Sequence, residues 1–574
     1  MKSRTFYSAI ALVAGLLIFV GIGGFWGLTM QNPRALLSKG GQEIPEAAQF
    51  VPRQAPAMIS LLARPDRLWQ LRQVLTPSNR RFAAREEWQS LEQALESATG
   101  WDYDTDLRPW LDEEVTFAVT TTDLDRDETN GLQAGYLAVL SCRDVEAARE
   151  ALHVLWQKRA ATGRNLVFET VSSVPLIYDR KPTDAVYRGV EALNLENPAL
   201  QSLASAIVGD RAVLLANDPQ VLRQAITTYQ APDISLAKAS NYRESIKTLP
   251  SKRIGWLYAN VPNLLAWLGL EDAGQFNGAV TETPRANFVF VSLRAFSSGL
   301  LGDTAIAAAP GKTFEFNRPS TQTATSALSL LPEETLFATS GTNFSQLLED
   351  IDENIGGYSI TQRSLQALLS SFSLPGAAPS ASLLASLQGE YALGTLPDRP
   401  TTWLLVSKSQ EEMPFASIDT FAEAQGINVN HVQLDNQDLT TWTRFSISRT
   451  SPQSPMQLMT QLVGVHTTID GYEVLSTSLS GLQQILQSLD GDALSDQPAF
   501  TGLIEELGPS KGAFTYINWP DLAPSLLKQF AWLRAIEQAG QPLTSHLGPI
   551  VFQANGSSQS LQEGSIAIKL LENS

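Results

Sequence analysis

Four histidines, one cysteine and several close sets of carboxylates are the residues of this chain whose types could do chemistry. None of His153, His431, His466 and His546 stands at metal-ligand spacing from another histidine or from Cys142, so these groups can meet only through folding. His153 sits in a helical pattern and His466 in a strand-like run, which are settings for ordinary packed or surface histidines. Asp123, Asp125 and Asp127 alternate as the opening of a calcium loop does. Glu128 stands where the loop requires glycine, however, and Ala134 where it requires a bidentate glutamate, so the stretch reads as a solvated acidic loop. Asp102, Asp104, Asp106, Asp112, Glu113 and Glu114 could pair for acid–base work, yet carboxylates this frequent in an acidic chain carry little information. As the only cysteine, Cys142 excludes an internal disulfide and every multi-cysteine metal or cluster site. Its neighbours read as a strand end, the setting of a buried structural thiol. No Gly-x-Ser-x-Gly elbow, phosphate loop or dinucleotide fingerprint is present. No catalytic, cofactor-binding or metal-binding residue is assigned on these grounds, and no cofactor is expected.

The elements that would position such residues begin with a membrane anchor. Ser8 to Met30 carries no charged side chain, and at about 1.5 Å per helical residue it spans a hydrocarbon layer of about 30 Å. Lys2 and Arg4 form a basic flank as in a signal peptide. The apolar run is longer than the h-region of such peptides, and Leu28 to Pro33 lacks a small-x-small cleavage site, so the segment reads as retained. The mild basic excess at the N-terminus places the large remainder outside the cytoplasm. Gly23 and Gly27 form a small-xxx-small pair through which two anchors could approach as a weak homodimer.

A hydrophobic content of 43% with 17% charged residues describes a chain that buries cores, and 574 residues leave material for two to four domains behind the anchor. The net charge of −18 is spread along the chain and opposes attraction to nucleic acid or anionic lipid surfaces. Pro33, Gly40, Gly41 and Pro45 break any periodic pattern, so residues 31–48 read as a flexible stalk. Strand-like runs follow at Met58 to Ala63, Val115 to Thr121 and Tyr136 to Leu140. Val145, Ala148, Leu152 and Leu155 recur at helical spacing. Leu203 to Val208 and Ala212 to Ala216 flank a Gly209-Asp210-Arg211 turn, after which Asp218 is placed to cap a helix opening at Pro219.

This order of elements returns in the second half. Leu331-Pro332-Glu333 parallels Val51-Pro52-Arg53, and Glu390-Tyr391-Ala392 parallels Glu114-Val115-Thr116. The hairpin Asp470 to Leu475 with its Ser478-capped helix mirrors the hairpin and capped helix before Gln230. Ser510-Lys511 and Asn518-Trp519-Pro520-Asp521 match Ser251-Lys252 and Asn260-Val261-Pro262-Asn263. Several landmarks in one order indicate an internal duplication. The expected fold is α+β: an N-terminal transmembrane helix followed by two tandem related domains, each a mostly antiparallel sheet with helices packed on one face. The divisions are a cytoplasmic N-terminus at 1–7, the anchor at 8–30, the stalk at 31–48, a first repeat at 49–309, a linker at 310–326 and a second repeat at 327–574.

The basic-flanked anchor, the Val51-Pro52 start, the paired hairpins and the Asn-x-Pro turns together resemble a cyanobacterial family of membrane-anchored proteins known only as a domain of unknown function. The resemblance implies a body facing the periplasm or thylakoid lumen, and it brings no catalytic or ligand residues. The expected function is that of a non-enzymatic anchored protein that binds or organises another envelope or thylakoid component, with an unidentified protein partner. Two other readings stand beside it. One is a carrier of lipid or pigment in a sheet–helix cleft, for which Trp69, Trp88, Trp101, Trp110, Trp156, Trp256 and Trp267 could supply an apolar lining, although their periodicity favours core packing. The other is a hydrolase built from scattered Asp, Ser and His.

Overall fold

Asp218 accepts a hydrogen bond from Gln220 N at 2.9 Å and Pro219 opens the helix behind it, which fixes where the first hairpin ends and its covering helix begins. Ser478 does the same in the second half, accepting from Gly481 N at 3.0 Å. The computed structural model describes residues 40–68, 100–127, 132–179, 202–270, 284–296, 298–314, 326–371, 388–397, 402–408, 415–434, 437–448, 457–489, 491–508, 513–529 and 546–571, with residues 93 and 96. The anchor at 8–30, Gly23 and Gly27 lie outside them. Among the described residues no helix is long and apolar enough to cross a membrane.

The first half contributes β1 (Ala57–Leu61), β2 (Leu111–Thr121), β3 (Gly135–Cys142), β4 (Leu166–Val171), β5 (Val174–Asp179), β6 (Ala204–Val208), β7 (Ala212–Ala216), β8 (Gly255–Asn260), β9 (Ala286–Phe296) and β10 (Gly299–Ala308). The second contributes β11 (Phe337–Asn343), β12 (Gln388–Leu396), β13 (Thr402–Lys408), β14 (Asn428–Leu434), β15 (Gln437–Ser448), β16 (Gln457–Ile469), β17 (Tyr472–Ser476), β18 (Phe514–Ile517), β19 (Leu547–Ser557) and β20 (Leu561–Leu570). The helices are α1 (Val145–Ala161), α2 (Pro219–Gln230), α3 (Ser240–Thr248), α4 (Val261–Trp267), α5 (Phe344–Ile355), α6 (Ser359–Ser371), α7 (Phe415–Ala424), α8 (Leu479–Ser488), α9 (Pro498–Leu507) and α10 (Trp519–Gln529).

Every strand pairing is antiparallel. In the first half the spatial order is β4-β5-β6-β7-β3-β2-β1-β8-β9-β10. The second repeats it as β14-β15-β16-β17-β13-β12-β11-β18-β19-β20. The expectation of two domains, each with its own sheet, is nevertheless wrong. β10 and β20 pair over nine residue positions and fuse the halves into one continuous 20-stranded sheet. The physical reason is edge chemistry. The last strand of each half has an unpaired row of N–H and C=O groups, and its sister strand satisfies them. Gly302 faces Ile566 while its counterpart Gly564 faces Thr304, so the seam is symmetric about the directly opposed Asp303 and Ser565. The cores interlock across it, with Leu561 joining the first-half core and Leu301 the second.

Helices on one face only is the second correction. Leu137 and Val139 of β3 pack under Val221, Leu222, Ala225 and Ile226 of α2 and Tyr242 of α3. Leu140 faces the other way, toward Ala148, Leu152 and Leu155 of α1, and Ala138 packs with Trp267 of α4. The second half is likewise covered by α8 and α9 on one face and by α5 and α7 on the other. Tyr136 to Leu140 is an unbroken apolar run, buried throughout, and such runs mark strands covered on both sides. The expected stalk also differs at its C-terminal end. Glu46–Gln49 forms a 3-10 turn with Ala47 and Ala48 buried, and Gly41 N donates to Arg253 O at 2.7 Å. From Gly40 onward the chain is part of the body.

Candidate functional site

The repeated strand order supplies an internal control. A buried polar group found at matching places in both halves serves the shared scaffold, whereas one found in a single half needs another reason.

Glu114 belongs to the first kind. Its side chain, at the β2 position beside Val115, is fully buried, and it accepts from Glu46 N at 2.7 Å, Ala47 N at 3.1 Å and Gln42 Nε2 at 3.3 Å. Thr116 Oγ1 donates to it at 2.7 Å and lies 2.6 Å from Ser60 Oγ. Burial pushes the carboxyl up to about 7, against the hydrogen bonds from Thr116, Ala47 and Glu46. A carboxyl so shifted is where acid–base chemistry is first sought. Its counterpart Glu390 holds the matching turn, Ala327–Leu330, through Ala327 N at 3.0 Å and also accepts from Tyr472 OH at 2.8 Å. The bridges Pro52 to Ser235 and Pro332 to Ala493 anchor the two turns alike. Both glutamates therefore strap an entry segment to the sheet.

A second matched tie has exchanged its chemistry. Trp156 Nε1 of α1 donates to Ser205 Oγ of β6 at 2.8 Å. At the matching positions Asp419 of α7 lies 2.8 Å from His466 Nε2 of β16, and Trp442 Nε1 of β15 donates to the same Asp419 oxygen at 2.7 Å. Burial lowers the His466 imidazole and outweighs the raising effect of Asp419. His431 is the one other histidine close by, its Nδ1 3.2 Å from Thr440 Oγ1, and Thr440 is paired with His466 across the strands. A hydrolytic triad uses its carboxylate to aim an imidazole at a nucleophile. Here the carboxylate is shared with an indole, and the pair fastens a helix to the sheet.

The third feature occurs only in the first half. Tyr242 and Ser245 lie on α3, three residues apart and so on one face; Trp256 lies on β8, with Arg253 just before that strand. All four are buried. The Tyr242 and Trp256 ring centroids are 5.9 Å apart, edge to face, and the Arg253 guanidinium lies 4.7 Å over the Trp256 ring. Arg253 caps the end of α3, donating from Nη2 to Ile246 O and Leu249 O at 3.2 and 3.1 Å, and from Nε to Pro250 O at 3.0 Å. Tyr242 OH, Ser245 Oγ, Arg253 Nη1 and Trp256 Nε1 have no hydrogen-bond partner among the described residues.

The other residues singled out in the sequence fall into ordinary settings. Exposed His153 bonds Gln157 on α1, and His546 bonds Leu571 O at 3.2 Å. Gln133 N donates to Asp123, Gln133 Nε2 and Asp127 N donate to Asp125, and the acidic loop is thereby closed by its own backbone and amide donors. Asp102 caps a π-turn at Thr105, Asp104 pairs with Arg108, and Asp106 accepts from Asp102 N. Glu113 pairs with Arg67 at 2.6 Å. Cys142 is buried at the end of β3, and burial pushes its thiol up. Trp101, Trp110, Trp156, Trp256 and Trp267 are buried, while Trp69 and Trp88 lie outside the described residues. Among the described residues no group of three or more His, Cys, Asp or Glu could hold a metal ion. Sequence reasoning passed over Tyr242, Ser245 and Arg253. The signal was present as polar residues at positions where the second repeat has Phe500, Leu503 and, after Lys511, glycine.

A sheet doubled end to end, in which no metal-binding group of His, Cys, Asp or Glu occurs among the described residues, defines a class by architecture alone. The chain belongs to the DUF3352 family, described as proteins of unknown function, whose family model matches residues 10–570. No curated protein and no solved structure matches it.

Proposed function

We propose that the chain is a non-enzymatic, membrane-anchored protein of cyanobacterial type whose body lies in the periplasm or thylakoid lumen and binds or organises another protein there. Support for the tether comes from the uncharged stretch Ser8 to Met30 and from the nine residues, 31–39, that separate it from Gly40. At about 3.5 Å per extended residue, those nine hold the body within about 30 Å of the bilayer.

The binding part of the reading is carried by one observation, the outer end of the β15–β16 ribbon. Arg444 to Ser448 and Gln457 to Gln461 pair with each other beyond the reach of β14 and β17. Phe445, Leu458 and Met459 are exposed there, Leu458 by 68%. A two-stranded ribbon is marginal by itself in water, and apolar side chains on it favour a protein surface that covers them. The lipid or pigment carrier draws no such support, because Trp101, Trp110, Trp156, Trp256 and Trp267, proposed as its lining, are buried in the core.

The test is a photo-crosslinking residue at Phe445 in the intact protein in native membranes, with a second at exposed Leu132 as control. The reading expects one protein captured from Phe445 alone and lost in the variant L458E/M459E. Equal capture from both sites overturns the binding claim. Recovery of the mature chain in an aqueous wash without its first thirty residues overturns the tether.

A further inference from the structure

We propose that Tyr242, Ser245, Arg253 and Trp256 form a buried site for a small anion of halide or carboxylate type. Each unsatisfied group points to hydrogen bonds that must end somewhere, since a buried donor without an acceptor costs about 1–3 kcal/mol. Tyr242 and Arg253 both lie against the Trp256 ring, and Ser245 is one turn along α3 from Tyr242, so the four groups share one buried neighbourhood. The chemistry of the set selects the occupant. Arg253 Nη1 and Trp256 Nε1 can only donate, and the Tyr242 and Ser245 hydroxyls can turn their hydrogens inward, so the set complements a group that only accepts.

Charge then favours an anion over water. Arg253 is fully buried and in no ion pair among the described residues. Tyr242, Glu43 and Asp303 act on it electrostatically, and Glu114 acts likewise on Tyr242, but no carboxylate makes an ion pair with Arg253 among the described residues. A buried guanidinium without a contacting counter-charge is strongly unfavourable, and an anion at Nη1 removes that cost.

The second half shows that the fold does not require these polar groups. Tyr242 is the third residue of α3 and Ser245 the sixth; Phe500 and Leu503 hold the same places in α9. Trp256 stands two residues before Tyr258, as Phe514 stands two before Tyr516. Phe500, Leu503 and Phe514 are as buried as their counterparts and form an apolar core. The entry segment lies directly over the first-half site. Gly40 and Gly41 pack so closely that a Cβ on Gly40 would meet Arg253 N at 2.6 Å and one on Gly41 would meet Leu62 O at 1.8 Å.

Bromide is the probe, used on the full chain purified in detergent. Crystals grown in sodium bromide should show an anomalous peak within hydrogen-bonding reach of Arg253 Nη1. In solution, bromide should raise the melting temperature saturably at constant ionic strength. That rise should vanish in Y242F/S245L/W256F, which copies the second half, and in R253M. If neither variant folds, the anomalous peak decides alone. Ordered water without an anomalous signal at the four donors, or a bromide effect identical in wild type and variants, overturns the proposal.

Discussion

The two halves fasten a helix to the same strand position with different chemistry. In the first, Trp156 and Ser205 make a neutral tie at 2.8 Å; in the second, Asp419 and His466 make a titratable one at the same distance. Gly163 after α1 and Gly426 after α7 both take left-handed backbone, with φ of +83° and +76°, so the chain leaves the two helices in the same way. The fold has fixed where contact occurs and left the contacting groups free to change. The strap shows the opposite case, because Glu114 and Glu390 both remain glutamate. What both halves share is scaffold, and what one half alone possesses is where function is to be sought.

Breaking the straps should give the largest effects, and unequal ones. Glu114→Ala strands the buried Ala47 N–H and the part-buried Glu46 N–H and opens a cavity, so a loss of about 3–5 kcal/mol is expected. Glu390 is only partly buried and holds one N–H, so Glu390→Ala should cost about 1–2 kcal/mol. Urea unfolding of the two variants measures the ratio. Equal losses would mean that the second strap depends on contacts other than its glutamate.

The halves should also respond to pH with opposite sign. The folded Glu114 carboxyl is raised to about 7 from an ordinary 4.5. Its contribution is fully present below about 4.5 and is lost as pH rises through 7, a change of about 3 kcal/mol. His466 is lowered from 6.5, so its contribution is present above 6.5 and is lost as pH falls below that value. Melting temperatures between pH 4.5 and 8.5 should therefore fall on the alkaline side in a way that Glu114→Gln flattens. They should fall on the acid side in a way that His466→Gln flattens. A profile unchanged by either variant would remove the contrast.

A smaller effect comes from the ties themselves. A double-mutant cycle of Asp419→Asn and His466→Gln should return a coupling of about 1–2 kcal/mol. The cycle of Trp156→Phe and Ser205→Ala should return about 0.5–1, since a charged partner strengthens a hydrogen bond. Equal couplings would show that helix placement, rather than the chemistry of the tie, sets the energy.

Much of this comparison was legible in the sequence, and what escaped did so for identifiable reasons. The Asp218 and Ser478 caps, the Asn260 turn and the paired Pro52 and Pro332 starts depend on neighbouring residues, so local pattern reveals them. The β10–β20 seam depends on two strands far apart in sequence whose own patterns say nothing of a free edge. The run around His466 in β16 reads as a strand, but the β14–β15 hairpin beside it escapes, because Asn428 to Leu434 is largely exposed and lacks the apolar alternation of a half-buried strand. The donor cluster needed a comparison of halves that only the strand register makes residue by residue.

The seam permits the finest test, because it sets the two halves face to face. On the first side Arg294 holds Asp303 through both guanidinium arms, at 2.7 and 3.0 Å. On the second, Asn555 Nδ2 donates to Ser565 Oγ at 2.7 Å in the matching places. Asp303 and Ser565 are direct cross-strand partners, so Ser565→Asp alone sets two carboxylates opposite each other, with Arg294 of β9 bonding only Asp303. Like charges so placed should cost about 0.5–1 kcal/mol. Adding Asn555→Arg supplies the missing cation and should recover most of that loss, while Arg294→Asn with Asp303→Ser, which copies the second side onto the first, should change stability by less than about 1 kcal/mol. Denaturant midpoints read all three variants. If Ser565→Asp is harmless without the added arginine, solvent rather than the paired strands governs the centre of the sheet, and the symmetry of the seam carries no electrostatic consequence.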